Sequence, residues 1–147
     1  MSNIEDRGPP PPGQGGTVSP VAVGLGSNRG RRVRHLAAGR AELGRLLSDL
    51  RCSRVYETAP VGRADQPPFL NMCCVGGTAL AADELLRALL EAEARSGRDR
   101  RAEPPGGPRT LDLDLLLYGR SRTDRPGLRL PHPRMAGRAF VLAPLAE

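Results

Sequence analysis

Lysine and tryptophan are both missing from this 147-residue chain, so all 22 of its basic residues are arginine. Aromatic residues make up 3%, with two phenylalanines and two tyrosines. So few rings leave the stacking platforms on which single-stranded nucleic acids are bound scarce. Cysteine occurs only at positions 52, 73 and 74. Three thiols at that spacing exclude a disulfide framework and a zinc site, and they fit a reducing compartment. No apolar run approaches the roughly 20 residues needed to cross a bilayer. The N-terminus is polar and rich in proline and glycine, without the apolar stretch of a secretory signal. The expectation is a cytoplasmic monomer with neither a membrane nor a nucleic-acid partner.

What is present suits one soluble domain. The apolar fraction is 39%, the charged fraction 26% and the formal net charge +6. A chain of this length can bury a core without metal or disulfide staples. Arginine stays charged and grips phosphate in a two-pronged fork, so the surface favours a polyanionic ligand.

Residues 1–19 contain the run Pro9–Pro12 between glycines and lack an apolar pattern. They are expected to form a disordered tail, with the folded domain spanning 20–147. Val21 to Gly26 reads as a buried strand, and Ser27 and Asn28 can cap the segment that follows. Apolar residues at 33, 36, 37, 43, 46 and 47 predict a helix over 31–47. Residues 51–58 read as a second strand, 59–68 as a loop full of breakers, and 69–80 as a third strand. Leu85, Leu86, Leu89 and Leu90 mark an amphipathic helix over 83–95, with Asp83 as its cap. Residues 97–108 form a loop, 111–118 a fourth strand, and a polar loop follows. The order strand, helix, strand, strand, helix, strand predicts an α+β fold. Its plan is the ferredoxin-like βαββαβ one, an antiparallel sheet with both helices packed on one face.

Arg109-Thr-Leu-Asp-Leu-Asp-Leu carries the most chemistry. Side chains alternate along a strand, so Leu111, Leu113 and Leu115 face the core while Asp112 and Asp114 share the other face. Two neighbouring carboxylates repel each other unless a cation lies between them. Hard oxygen ligands suit Mg²⁺, which commonly joins one or two carboxylates to substrate phosphates. Arg98, Arg100, Arg101 and Arg109 flank the loop just before the pair and would neutralise the far side of such a polyphosphate. An exposed strand face with aspartates paired to arginine is the bland alternative. His132, between Pro131 and Pro133, can donate to a phosphate oxygen or serve the structure alone.

Several motifs together resemble one family. They are Gly24-Leu-Gly-Ser-Asn, Tyr56-Glu-Thr-Ala-Pro-Val-Gly, Asp65-Gln-Pro-Pro-Phe-Leu-Asn, Gly107-Pro-Arg-Thr-Leu-Asp-Leu-Asp, Leu130-Pro-His-Pro-Arg-Met and Arg138-Ala-Phe-Val-Leu-Ala-Pro-Leu. In this order they resemble the 6-hydroxymethyl-7,8-dihydropterin pyrophosphokinases of folate biosynthesis. The resemblance implies ATP as co-substrate and a pyrophosphate transfer to the dihydropterin, with AMP released. It implies two Mg²⁺ ions on Asp112 and Asp114, and phosphate contacts from Arg98 and Arg109, with Arg101 helping. Glu93, His132 and Arg138 match further groups of the ATP site. Phe69 and Phe140 match the rings that sandwich the pterin. Thr58, Val61, Gly62 and Asn71 match its hydrogen-bonding edge. The loop over 97–108 matches a closing lid.

Two departures stand out. Glu103-Pro-Pro-Gly-Gly107 replaces the basic and aromatic character usual there, and the family's C-terminal segment is expected to be shortened. They leave open a catalytically weak relative that serves as an interaction module. A basic nucleic-acid-binding domain also remains open, although it gives the two aspartates no role.

Overall fold

A computed structural model describes residues 17–59, 66–96 and 110–133. The elements run β1 (Ser19–Ser27), α1 (Arg32–Leu46), β2 (Ser48–Cys52), β3 (Tyr56–Thr58), β4 (Phe69–Thr78), α2 (Ala82–Arg95), β5 (Asp112–Tyr118), β6 (Thr123–Arg125) and β7 (Leu128–Leu130). The fold is α+β. The main sheet is antiparallel, in the order β2-β4-β1-β5, with β3 also paired to β4.

β1 lies at the centre because its sequence is apolar nearly throughout. It pairs with β4 from Ser19↔Thr78 to Ser27↔Leu70 and with β5 from Val21↔Tyr118 to Gly26↔Asp112. Both helices cover one face. Leu36 and Leu43 of α1 and Leu85, Leu89 and Ala92 of α2 form one core with Val23, Leu25, Met72, Cys74, Leu113 and Leu115. Leu43, Leu85 and Leu89 are completely buried. Each such leucine contributes on the order of 1.5–3 kcal/mol relative to exposure. The other face carries a smaller cluster of Ala22, Cys73 and Leu116, and beside it the glycines of β1 and the aspartates of β5.

Several expectations are corrected. The single strand expected over 51–58 is two, β2 and β3, because the chain leaves β4 at Ser53 and rejoins it at Tyr56. Ser53 bridges the gap, its N–H donating to the Cys73 carbonyl at 2.8 Å and its Oγ accepting from the Cys73 N–H at 3.0 Å. Val33 was expected on the buried side of α1 but is 71% exposed. Neither helix has the cap expected for it. The residue before α1 is Arg31, with no side-chain cap. At α2 the Glu84 carboxylate accepts the Ala81 N–H at 2.8 Å, while Asp83 pairs with Arg125 at 2.5 Å. The polar loop after β5 contains the β6–β7 hairpin, turned at Pro126-Gly127 with Gly127 at φ 85. Proline followed by a glycine of positive φ is a turn signature.

The cysteines also depart from expectation. Cys52 and Cys74 face each other in the β2–β4 register and form a disulfide. Cys73 is a buried free thiol. The alternation of β4 explains the division, since consecutive side chains point to opposite faces. Among the described residues no helix is long and apolar enough to cross a membrane. Of the tail expected over 1–19, residues 1–16 lie outside the described residues, as does the lid over 97–108, while β1 already begins at Ser19.

Candidate functional site

The candidate site occupies one end of the sheet face that the helices leave open. β5 contributes Asp112 and Asp114, both half-buried, between Leu111, Leu113 and Leu115, which are at most 4% exposed. The expected alternation is therefore observed. Across the ladder, Asp112 lies opposite Gly26 and Asp114 opposite Gly24. β1 contributes no side chain between these carboxylates and β4, so the trough between them is floored by backbone, with Leu116 packed toward Gly24 and Asn71 and Phe69 toward Gly26.

β4 forms the other wall. Asn71 pairs with Gly26, and Phe69 lies two residues earlier on the same face. A side-chain carbon on Gly26 would stand 3.1 Å from Asn71 Oδ1 and 3.5 Å from Phe69 Cδ1. Asn71 is 5% exposed, and its Nδ2 donates to Thr58 Oγ1 at 2.6 Å. Thr58 is in turn paired with Phe69 across β3 and β4. Thr58, Phe69 and Asn71 are thus brought together, on the side of β1 opposite the aspartates. An amide held by a hydroxyl and next to an aromatic ring can present hydrogen bonds to a flat heterocycle in a fixed direction.

Residues with no expected role at the site hold this wall in place. Asn28, buried to 1% exposure, donates through Nδ2 to Gln66 Oε1 at 2.8 Å and to the Pro67 carbonyl at 3.0 Å. Arg32 donates to the Pro68 carbonyl and to Glu57, both at 2.9 Å. Together they fix the segment leading into Phe69. The signal for Asn28 was its place in Gly24-Leu-Gly-Ser-Asn, but its side chain reaches 38 residues onward instead of capping α1.

Two further candidates meet the outer edge of β5. Glu93 is 1% exposed, and its Oε2 accepts the Leu113 N–H at 2.6 Å. His132 follows the cis Leu130–Pro131 peptide, and its backbone N–H donates to the Leu116 carbonyl at 2.9 Å. Val61, Gly62, Arg98, Arg101, Arg109, Arg138 and Phe140 lie outside the described residues. Cys73, opposite Gly24 on the open face, has its thiol pushed up to about 11 by burial, so it is neutral at physiological pH.

Among the described residues no three metal-ligating side chains come together. An all-protein metal cage is thus not what the described part offers. Two carboxylates on one strand face do fit a magnesium ion whose remaining ligands are phosphates and water. A groove of about 500 Å³ at the opposite end of the strands is lined by Pro20, Ala22, Val75, Gly77 and Leu117. It is mostly apolar and holds none of the candidate residues.

Comparison with known proteins gives the same direction. Residues 22–147 match the family described as 7,8-dihydro-6-hydroxymethylpterin-pyrophosphokinase. A Bacillus subtilis protein named 2-amino-4-hydroxy-6-hydroxymethyldihydropteridine pyrophosphokinase is 45% identical over 127 residues, which is 85% of this chain and 75% of that protein. A Pseudomonas aeruginosa protein of the same name is 42% identical, over 88% of this chain and 80% of its own length. An Arabidopsis thaliana folate synthesis bifunctional protein is 41% identical, but the match covers only 27% of it.

Proposed function

The chain belongs to the 7,8-dihydro-6-hydroxymethylpterin-pyrophosphokinase family, and from that premise we propose how its open sheet face performs the transfer. The reaction moves pyrophosphate from ATP to 6-hydroxymethyl-7,8-dihydropterin, giving AMP and the pterin diphosphate, a step in folate synthesis. The carrying observation is the placement of Asp112 and Asp114 across Gly26 and Gly24 from Asn71 and Phe69. One wall of the trough is acidic and suits a metal-bound triphosphate. The other is aromatic and amide-lined and suits a pterin.

The hydroxymethyl oxygen attacks the β-phosphorus, its bond to phosphorus forms as the bond to the AMP oxygen breaks, and the hydroxyl proton is lost. No enzyme nucleophile is required, so positioning and charge neutralisation carry the rate. Asp112 and Asp114 would hold the magnesium, two ions in our reading, which when bound offsets triphosphate charge. Arg98, Arg101, Arg109, His132 and Arg138 complete the phosphate contacts. Phe69 and Phe140 sandwich the pterin ring, and Thr58, Val61, Gly62 and Asn71 hold its edge. The loop over 97–108 closes over both substrates to exclude water.

We read the topology as ferredoxin-like, with β3 and the β6–β7 hairpin added to the βαββαβ plan. The strand order, the antiparallel pairing and the shared helix face support that reading. A cytoplasmic monomer acting on these two small molecules is part of the same proposal.

The test is product analysis with ATP in the presence and absence of the dihydropterin. AMP should form only with the pterin, in one-to-one ratio with pterin diphosphate. Formation of ADP, or AMP release independent of the pterin, would contradict the proposal.

A further inference from the structure

Leu85, Leu89 and Ala92 form the buried stripe of α2, and Glu93, four residues after Leu89, falls on the same stripe. A carboxylate at 1% exposure is costly to bury unless strongly hydrogen-bonded. Its Oε2 accepts the Leu113 N–H at 2.6 Å, short even for a charge-assisted bond.

The position of that amide matters more than its partner's identity. Leu113 is the residue between Asp112 and Asp114. In an antiparallel ladder, successive residues direct their N–H and C=O groups alternately toward the neighbouring strand and away from it. β5 ends the sheet among the described residues, with β1 on its inner side. The Leu113 N–H that reaches Glu93 is therefore one that points away from β1. By the same alternation, Asp112 and Asp114 are the residues bound to Gly26 and Gly24. An edge strand with unheld outward amides frays and twists readily. Glu93 removes that freedom at the residue that separates the two aspartates.

We infer that Glu93 is a positioning residue for the aspartate pair. Its carboxylate, anchored on α2, holds the Leu113 amide and so fixes the separation and direction of the Asp112 and Asp114 carboxylates on the open face. It acts through the β5 backbone. The inference rests on the reading of Asp112 and Asp114 as the magnesium–phosphate site. Groups that orient metal ligands in this indirect way typically change metal affinity or activity by about 10- to 100-fold when removed.

The test compares Glu93→Gln and Glu93→Leu with the unaltered full-length chain. Glutamine keeps a carbonyl acceptor and loses the charge, whereas leucine loses both. Three quantities are read: hydrogen exchange at the Leu113 amide, the Mg²⁺ concentration that half-saturates binding of a non-hydrolysable ATP analogue, and kcat with KM for ATP. Glu93→Leu should speed Leu113 exchange, raise the Mg²⁺ requirement and lower kcat, both by about 10- to 100-fold, with KM moved much less. Glu93→Gln should keep the Leu113 amide protected and lose much less than Glu93→Leu in the other two.

Normal Mg²⁺ dependence and kcat in a folded Glu93→Leu protein would overturn the inference. So would a Glu93→Gln protein that keeps Leu113 protection yet loses activity, since charge or direct contact would then be the role. Should the leucine variant not fold, the glutamine variant decides by the same criterion. Absence of AMP formation by the unaltered chain would instead remove the functional reading, and the exchange data would still report whether Glu93 holds β5.

Discussion

Gly26 of β1 stands directly across from Asn71 of β4, and a side-chain carbon at position 26 would lie 3.1 Å from Asn71 Oδ1. The glycine lets Asn71 and Phe69 sit close against the β1 backbone. Gly26→Val should push both out of place. The Kd for a pterin analogue should rise at least about tenfold, close to 1.4 kcal/mol, while the Kd for an ATP analogue changes less. Titration calorimetry on the folded variant measures both. Unchanged pterin affinity would place the ring elsewhere.

Phe69→Ala should weaken pterin binding by roughly 1–3 kcal/mol, the range for stacking a base-like ring on an aromatic side chain. Phe69 is half-buried in β4 beside the Asn71–Thr58 hydrogen bond, so its ring borders the trough. The same calorimetric comparison applies. Equal losses for pterin and ATP analogues would show a packing role only.

The arginines at 98 and 109 are proposed to act on charge that develops during transfer. Arg98→Ala and Arg109→Ala should then lower kcat more than they raise the Kd for ATP. Pro105→Arg should raise activity, because a charge-assisted hydrogen bond is worth roughly 1.5–3 kcal/mol. Steady-state kinetics on the three proteins decides. A neutral Pro105→Arg together with a harmless Arg98→Ala would mean the loop is not a catalytic lid.

Much of this site is legible in local periodicity. Leucine and aspartate alternate over 111–115, and that alone assigns the leucines to the core and the carboxylates to the open face. The illegible parts depend on register between distant segments. Nothing within residues 51–58 marks the break between β2 and β3, which the Ser53–Cys73 hydrogen bonds span. The Cys52–Cys74 pairing is likewise a consequence of the β2–β4 register and not of cysteine spacing. Asn28 looked like a local cap because the sequence does not show that Gln66 returns to it. Glu93 did carry a local signal, since it lies on the Leu85–Leu89 stripe. The β6–β7 hairpin carried one too, in Pro126-Gly127.

The disulfide yields a stability prediction. It closes a segment of sequence separation 22 that contains Thr58, Phe69 and Asn71. Constraining a loop of this size in the unfolded chain stabilises the fold by about 3 kcal/mol. Urea unfolding with and without reductant should show that difference, and Cys52→Ser should reproduce the reduced value. Coincident transitions for all three samples would show that the bond does not constrain the unfolded chain.

The account turns on the two aspartates, and one measurement reaches them most directly. Asp112→Asn and Asp114→Asn preserve size on the open face of β5 and remove the charges that would hold magnesium. Pterin-dependent AMP production should be abolished in each at matched Mg²⁺, while thermal unfolding stays close to that of the unaltered chain. AMP production near the unaltered rate in both folded variants would contradict the assignment of this face as the transfer site.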